Sequence, residues 1–203
     1  MTAVPRIALI SAAPAAMQPA QEAVIAELPQ AEIWHLLDDR LLADAEAAGG
    51  VAASLQVRMN ALIDIAIRGG ADAVLLTCSQ YGAVAQDRRE SDTPIVGSDD
   101  GAFAEVVELA PRKLLIVASL ESAALDTKTR LGHALADAGI QCTVDARIAA
   151  SREMLGQVRG TYDTILLAQY SLAPLMSELD VPVISPPTAA AAAIRRRLSG
   201  EAS

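Results

Sequence analysis

The residues best equipped for chemistry stand together at Thr77-Cys78-Ser79-Gln80. They follow the apolar run Ala73–Leu76 and precede Tyr81-Gly82. A thiol between two hydroxyls can serve as nucleophile, base or acid. The hydroxyls, with neighbouring backbone N–H groups, can hold a carboxylate beside it. If the run is a strand and a helix follows, the N–H dipoles are expected to pull the thiol below its ordinary pKa of about 8.5. A free cysteine is also commonly a small core residue, so position alone leaves both roles open. The layout recurs at 162–171, where an apolar run opens into Gln169-Tyr170-Ser171. Gln169 takes the place that Cys78 has in the first copy.

Other reactive side chains are poorly grouped. Cys142 lies in an apolar stretch without a polar tip and is expected to be structural. His35 and His133 are each alone, and neither forms a readable pair with a cysteine. Zinc is not expected, because the cysteines lack histidines at ligand spacing. The acidic pairs Asp38-Asp39 and Asp99-Asp100 read as turn or helix-cap residues. No GxxxxGK[ST] phosphate loop and no GxGxxG turn occurs. No metal and no cofactor is expected.

These tips need elements to carry them. Short apolar runs at 6–11, 31–37, 73–76, 93–98, 113–119, 140–144, 162–168 and 181–185 predict buried strands. Between them, helices are expected at 20–28, 51–68, 82–89, 101–109, 121–138, 151–158, 171–179 and 189–198. Leu55, Met59, Leu62, Ile63 and Ala66 recur at helical spacing and form one stripe. Gly69-Gly70 is a helix stop. After Pro111 the pattern restarts, so the chain reads as a duplication with a period of about ninety residues. The fold class expected is α/β: two pseudo-symmetric halves, each a short, mainly parallel sheet flanked by helices. The halves fall at 1–97 and 98–203, intertwined, with the last helix able to cross. Ligands of such sheets bind outside the carboxyl ends of the strands. Ser11, Ser98, Ser119 and Ser185 stand at such ends, and Ser122 opens the helix that follows Ser119.

The totals bound the partners. The 203 residues carry a formal net charge of −9 and only 2% aromatic residues. Neither suits a phosphate backbone or a base-stacking surface, so no nucleic-acid partner is expected. Hydrophobic residues make up 52%, enough for a sizeable core. No uncharged apolar stretch reaches about 18 residues, and Met1 to Pro5 shows no leader pattern. A cytoplasmic protein without membrane contact is expected, and homo-oligomerisation is left open.

The duplicated layout, the Cys-bearing tip at 71–82, Ser11 and the second tip at 162–171 resemble the aspartate/glutamate racemase superfamily. Leu-Leu-Asp-Asp at 36–39 and Ala-Gln-Tyr-Ser at 168–171 are similar to a single-cysteine branch of it. That superfamily holds cofactor-independent amino-acid and hydantoin racemases, maleate isomerase and arylmalonate decarboxylase. In its two-cysteine members, one thiol from each half faces the substrate carbon. One removes a proton and the other returns one on the opposite face.

The resemblance puts Cys78 on the first of these cysteines and Gln169 on the second. Ser79 and Gln80 fall where the family often has Asn-Thr. Ala118, Ser119 and Ser122 fall on an anion-binding turn. It implies a small-carboxylate ligand held by Ser11, Thr77, Ser79, Gln80, Ser119, Ser122, Gln169, Tyr170 and Ser171. Gln cannot relay a proton, since its amide only donates and accepts hydrogen bonds. A single thiol leaves open cis–trans isomerisation by addition, protonation after decarboxylation, and exchange of one α-proton with water or Tyr170 on the other face. A carboxylate-binding protein without turnover, and a thiol hydrolase, stay open beside them.

Overall fold

The computed structural model describes residues 4–148, 160–178 and 181–201. The helix expected at 151–158 lies outside these residues. Two four-stranded sheets form, both wholly parallel. The first has strand order β2-β1-β3-β4, from β1 Arg6–Ser11, β2 Glu32–Leu37, β3 Ala73–Leu76 and β4 Ile95–Val96. The second has order β6-β5-β7-β8, from β5 Lys113–Ala118, β6 Thr143–Ile148, β7 Thr164–Leu167 and β8 Val183–Ile184. The helices are α1 Met17–Glu27, α2 Leu41–Ala47, α3 Ala53–Arg68, α4 Gly82–Asp87, α5 Asp100–Leu109, α6 Glu121–Asp137 and α7 Pro186–Ser199. Parallel neighbours need a crossover: α1, then α2 with α3, then α4 supply it in the first sheet, and α6 supplies it between β5 and β6 in the second.

The central strands β1, β3, β5 and β7 are continuous aliphatic runs because both faces of each sheet are covered. On one face of the first sheet, Ala8, Ile10, Val74 and Leu76 pack against Leu41, Leu55, Met59, Ile63 and Tyr81. The expected stripe on α3 is thus the buried one, with Leu62 at its half-buried margin. Gly70, at φ 81°, ends α3, while Ala71 N–H bonds Ala66 O at 3.0 Å and Gly70 N–H bonds Ile67 O at 3.0 Å. That is the paired closure that favours glycine.

The halves exchange helices. α5 follows β4 but packs Ala102 and Val106 on the second sheet, against Leu114, Ile116, Leu166 and Ile184. α7 follows β8 but lays Ala190, Ala191 and Ile194 on Ile7, Leu9, Ala73, Leu75 and Val96 of the first. Full burial of Ile194 alone contributes about 1.5–3 kcal/mol. Where the two helices cross, a Cβ on Gly101 would lie 2.3 Å from the Ala189 carbonyl oxygen, so only glycine fits.

Two expectations are corrected. The strand expected at 140–144 begins at Thr143 and runs to Ile148. Ile140 belongs to the helix stop: its N–H bonds Leu135 O at 2.8 Å, beyond Gly139 at φ 69°. α2 was not anticipated. It is short, and tertiary contacts fix it. Tyr81 donates its hydroxyl to Leu41 O at 2.9 Å. Arg58 of α3 binds Asp38 at 2.6 Å and Asp44 at 2.8 Å. Asp38 also accepts from Arg40 N–H, as a turn residue should.

Candidate active site

The register of the strands fixes which residues correspond between the halves. Ile10 pairs with Leu76 in the first sheet, and Val117 with Leu167 in the second. Two residues beyond each stand Cys78 and Gln169. Both then turn in the same way: Tyr81 N–H bonds Cys78 O at 3.1 Å, and Leu172 N–H bonds Gln169 O at 3.1 Å. The 3-10 turns Ser79–Tyr81 and Tyr170–Glu178 follow.

These tips meet at a cavity of about 150 Å³ lined from both halves. An apolar cavity of about that size takes one benzene molecule, so the occupant must be small. Of the sequence candidates, Thr77, Cys78, Ser79, Gln80, Ser122, Gln169, Tyr170 and Ser171 line it. Ser11 and Ser119 are not among the lining residues; they stand behind it. Thr77 donates its hydroxyl to Ser11 Oγ at 2.9 Å, which fixes the first tip. Ser119 donates both its N–H, at 2.7 Å, and its hydroxyl, at 2.8 Å, to Gln169 Oε1.

The second pair of bonds has a chemical consequence. A backbone N–H can only donate, so the Gln169 atom it meets must be the carbonyl oxygen. That settles the amide orientation and leaves Nε2 as the free end. No hydrogen bond among the described residues uses that NH2 group. Gln169 is therefore a held pair of donors in the lining that it shares with the thiol.

Cys78 is half-buried. Its pKa is pushed up to about 11, above all by burial. The Gln80 and Tyr81 N–H groups pull the other way, and the Asp99 and Asp126 carboxylates add to the rise. The expectation of a lowered pKa is thus overturned. The following helix α4 has only six residues and a 3-10 turn precedes it, so its dipole is weak beside desolvation and two carboxylates. Cys78 rests as a thiol.

The carboxylates were missed as site residues. Asp99 was expected to cap α5, and its side chain makes no cap bond. It accepts instead from Arg130 Nη2 at 2.5 Å and from the Ser98 hydroxyl at 3.1 Å. Burial raises its pKa, with Arg130 and Ser98 opposing. Arg130 also donates from Nε to Asp126 Oδ2 at 2.8 Å. Its guanidinium lies 5.2 Å from the Phe103 ring centre and 3.7 Å from where a Gly82 Cβ would stand, bridging the halves. The i,i+4 spacing of Asp126 and Arg130 was a readable signal. Asp99, 31 residues from Arg130, gave none. Asp100 does act locally, accepting Gly97 N–H at 2.8 Å.

Tyr170 was a candidate proton carrier. Its ring is buried among Ile7, Leu9 and Ala190, and its hydroxyl faces Ser98 O at 3.4 Å. Burial holds its pKa well above the ordinary value, so the phenol stays protonated. His35 bonds Gln21 at 2.8 Å, and His133 is exposed. Neither lines the cavity. Cys142 is half-buried beside the second core. Among the described residues, no three His, Cys, Asp or Glu side chains converge as a metal site. None of the described helices is long and apolar enough to cross a membrane.

No family model matches the sequence, and no curated protein matches it. Solved structures do. An allantoin racemase from Klebsiella pneumoniae is 20% identical, with TM-score 0.67, over 98% of this chain and 89% of that one. The aspartate racemase of Picrophilus torridus is 14% identical, with TM-score 0.73, over 96% and 94%. The glutamate racemase of Aquifex pyrophilus is 16% identical, with TM-score 0.63, over 98% and 86%. At such identities the likeness is one of fold, carried over nearly the whole length of both partners. The chain has the same two-sheet fold as these racemases.

Proposed function

We propose that this protein is a cofactor-independent, racemase-like enzyme of a small carboxylate, with Cys78 handling one proton on one face of the reacting carbon. The observation that carries this is the equivalence of Cys78 and Gln169. They occupy matching positions at the tips of β3 and β7 and line one small cavity. Gln169 Nε2, with the hydroxyls of Ser79, Ser122 and Ser171, offers neutral donors to a carboxylate. The same donors stabilise the enediolate that forms when charge moves from the carbon onto that carboxylate. Cys78, in its minor thiolate form, takes the α-proton as the C–H bond breaks, exchanges it with water as the thiol, and returns a proton to the same face of the carbon, which restores the thiolate.

One observation favours the lyase branch. A thiol resting near pKa 11 is ready to donate and poorly prepared to abstract. From a substrate with two carboxylates on one carbon, loss of one as CO2 leaves the enediolate on the other without any base; a single thiol then protonates the carbon and is reprotonated by water.

The test is incubation in D2O with small carboxylates, followed by NMR for exchange at the α-carbon, double-bond isomerisation and loss of CO2. Turnover is expected in the wild type, and a fall of about 10²–10⁴ in Cys78→Ala. Full activity in Cys78→Ala would end the proposal. Ligand binding with no turnover of any kind would make the protein a carboxylate receptor instead.

A further inference from the structure

Two halves that each contribute one tip need something to fix the distance between the tips, and α6 carries a residue that reaches across. Arg130 Nη2 donates to Asp99 at 2.5 Å, and its Nε donates to Asp126 at 2.8 Å. Two carboxylates on a planar fork hold the guanidinium in one orientation. In that orientation Nη1 stands 3.7 Å from where a Gly82 Cβ would be, against the turn that leaves the Cys78 tip. Asp99 lines the cavity and is buried. It also accepts the Ser98 hydroxyl at 3.1 Å, and the Ser98 carbonyl faces the Tyr170 hydroxyl at 3.4 Å. Tyr170 directly follows Gln169, and its ring is sunk in the core of the first half. Contacts therefore run from Gly82, through Arg130, Asp99 and Ser98, to Tyr170.

Resting on the function proposed above, we infer that Arg130 is a positioning residue: through Asp99 and Ser98 it holds the Cys78 and Gln169 tips at one separation. Arg130 is not among the residues lining the cavity, so it acts through others. The proposed reaction needs both tips at once, Gln169 for the carboxylate and Cys78 for the proton. Parting them by about 1 Å leaves the carboxylate on its Gln169 donors and costs about 10² in turnover. The loss then falls on kcat, because the interaction given up is one made in the transition state.

The double variant Arg130→Met, Asp99→Asn removes the tie without leaving a lone buried carboxylate, so the fold is kept. Amide hydrogen exchange followed by NMR reads the tips with no substrate present. The Tyr81 and Leu172 N–H groups close the two tip turns, and Val74 N–H lies in the first sheet. The two tip amides are expected to exchange about tenfold faster or more than in the wild type, and Val74 within about threefold of it. In turnover, kcat is expected to fall about 10² with KM within about threefold. Arg130→Lys keeps a cation for Asp99 and is expected to recover about tenfold of that loss. Equal acceleration at Val74 and at the tips marks a general loss of stability and overturns the inference. So do tip amides at the wild-type rate, an unchanged kcat in the double variant, or an Arg130→Lys variant no better than the double one. If the tips loosen as stated while the wild type turns over no carboxylate, the tie stands and the enzymatic reading falls.

Discussion

The protonation of Cys78 is the point on which the chemistry turns, and alkylation kinetics read it directly. In a Cys142→Ser background, Cys78 is the sole thiol. With its pKa near 11, about one molecule in ten thousand carries the thiolate at pH 7. An ordinary thiol of pKa about 8.5 has roughly 3% thiolate there. The iodoacetamide rate at pH 7 should therefore be about 300-fold below that of a free thiol, and should rise tenfold per pH unit towards a midpoint near 11. Restricted access lowers every rate by one factor and leaves the midpoint alone, so the midpoint is the quantity to compare. Asp126→Asn removes a half-exposed carboxylate that holds the thiol up, and the midpoint should move down. Stability gives a second readout with a defined sign. Folding raises this pKa, so the unfolded chain loses its proton first. The contribution is intact below about pH 9 and is lost as pH climbs through about 11, some 2–3 kcal/mol in all. Cys78→Ser should flatten that part of the pH–stability curve. A wild-type midpoint at or below 8.5, or one unmoved by Asp126→Asn, would refute the argument that burial and carboxylates outweigh the N–H groups.

Gln169→Glu keeps an oxygen for Ser119 N–H and deletes the NH2 donors, so it separates anchoring from donation. Turnover is expected to drop about 10²–10³ with the fold retained, whereas an unchanged kcat would remove Gln169 from the charge-stabilising role. Gly101→Ala puts a Cβ against the Ala189 carbonyl and must push α5 and α7 apart. A loss of about 3 kcal/mol or more is expected, a Tm lower by roughly 6–12 °C in a calorimetric scan. A shift under about 2 °C would mean the crossing is loose.

How much of this was legible depended on whether the deciding contact was local. β1 and β3 stand where the aliphatic runs put them, because a strand covered on both faces must be continuously apolar. Proline and glycine stops set the ends of α1 and α3 for the same local reason. The equivalence of Cys78 and Gln169 was readable too, since each follows a run of four buried residues. Ile140 misled because an apolar residue just past a helix stop looks like the start of a strand. Asp99 misled because an acid at a helix start usually caps it, and only the folded chain brings Arg130 within 2.5 Å. The sign of the Cys78 shift was out of reach for the same cause: the two opposing carboxylates come from elements distant in sequence.

The asymmetry between the tips follows from their surroundings as much as from residue type. At the first tip, the hydroxyl behind the wall holds Thr77, and the Cys78 thiol meets the Gln80 and Tyr81 N–H groups in a site that favours its protonated form. At the second, Ser119 holds the Gln169 side chain itself by two bonds, so its working end is fixed and cannot ionise. On the function proposed above, the Cys78 side of the cavity moves a proton and the Gln169 side stabilises charge. A carbanion between them receives its proton from the Cys78 side. Exchange in D2O should then proceed at one face with retention of that face's configuration, and racemisation should lag far behind exchange. The two halves thus match in strands and turns and differ in the side chains at their tips, and the one-sided chemistry proposed from that difference is suited to making or preserving a single stereoisomer.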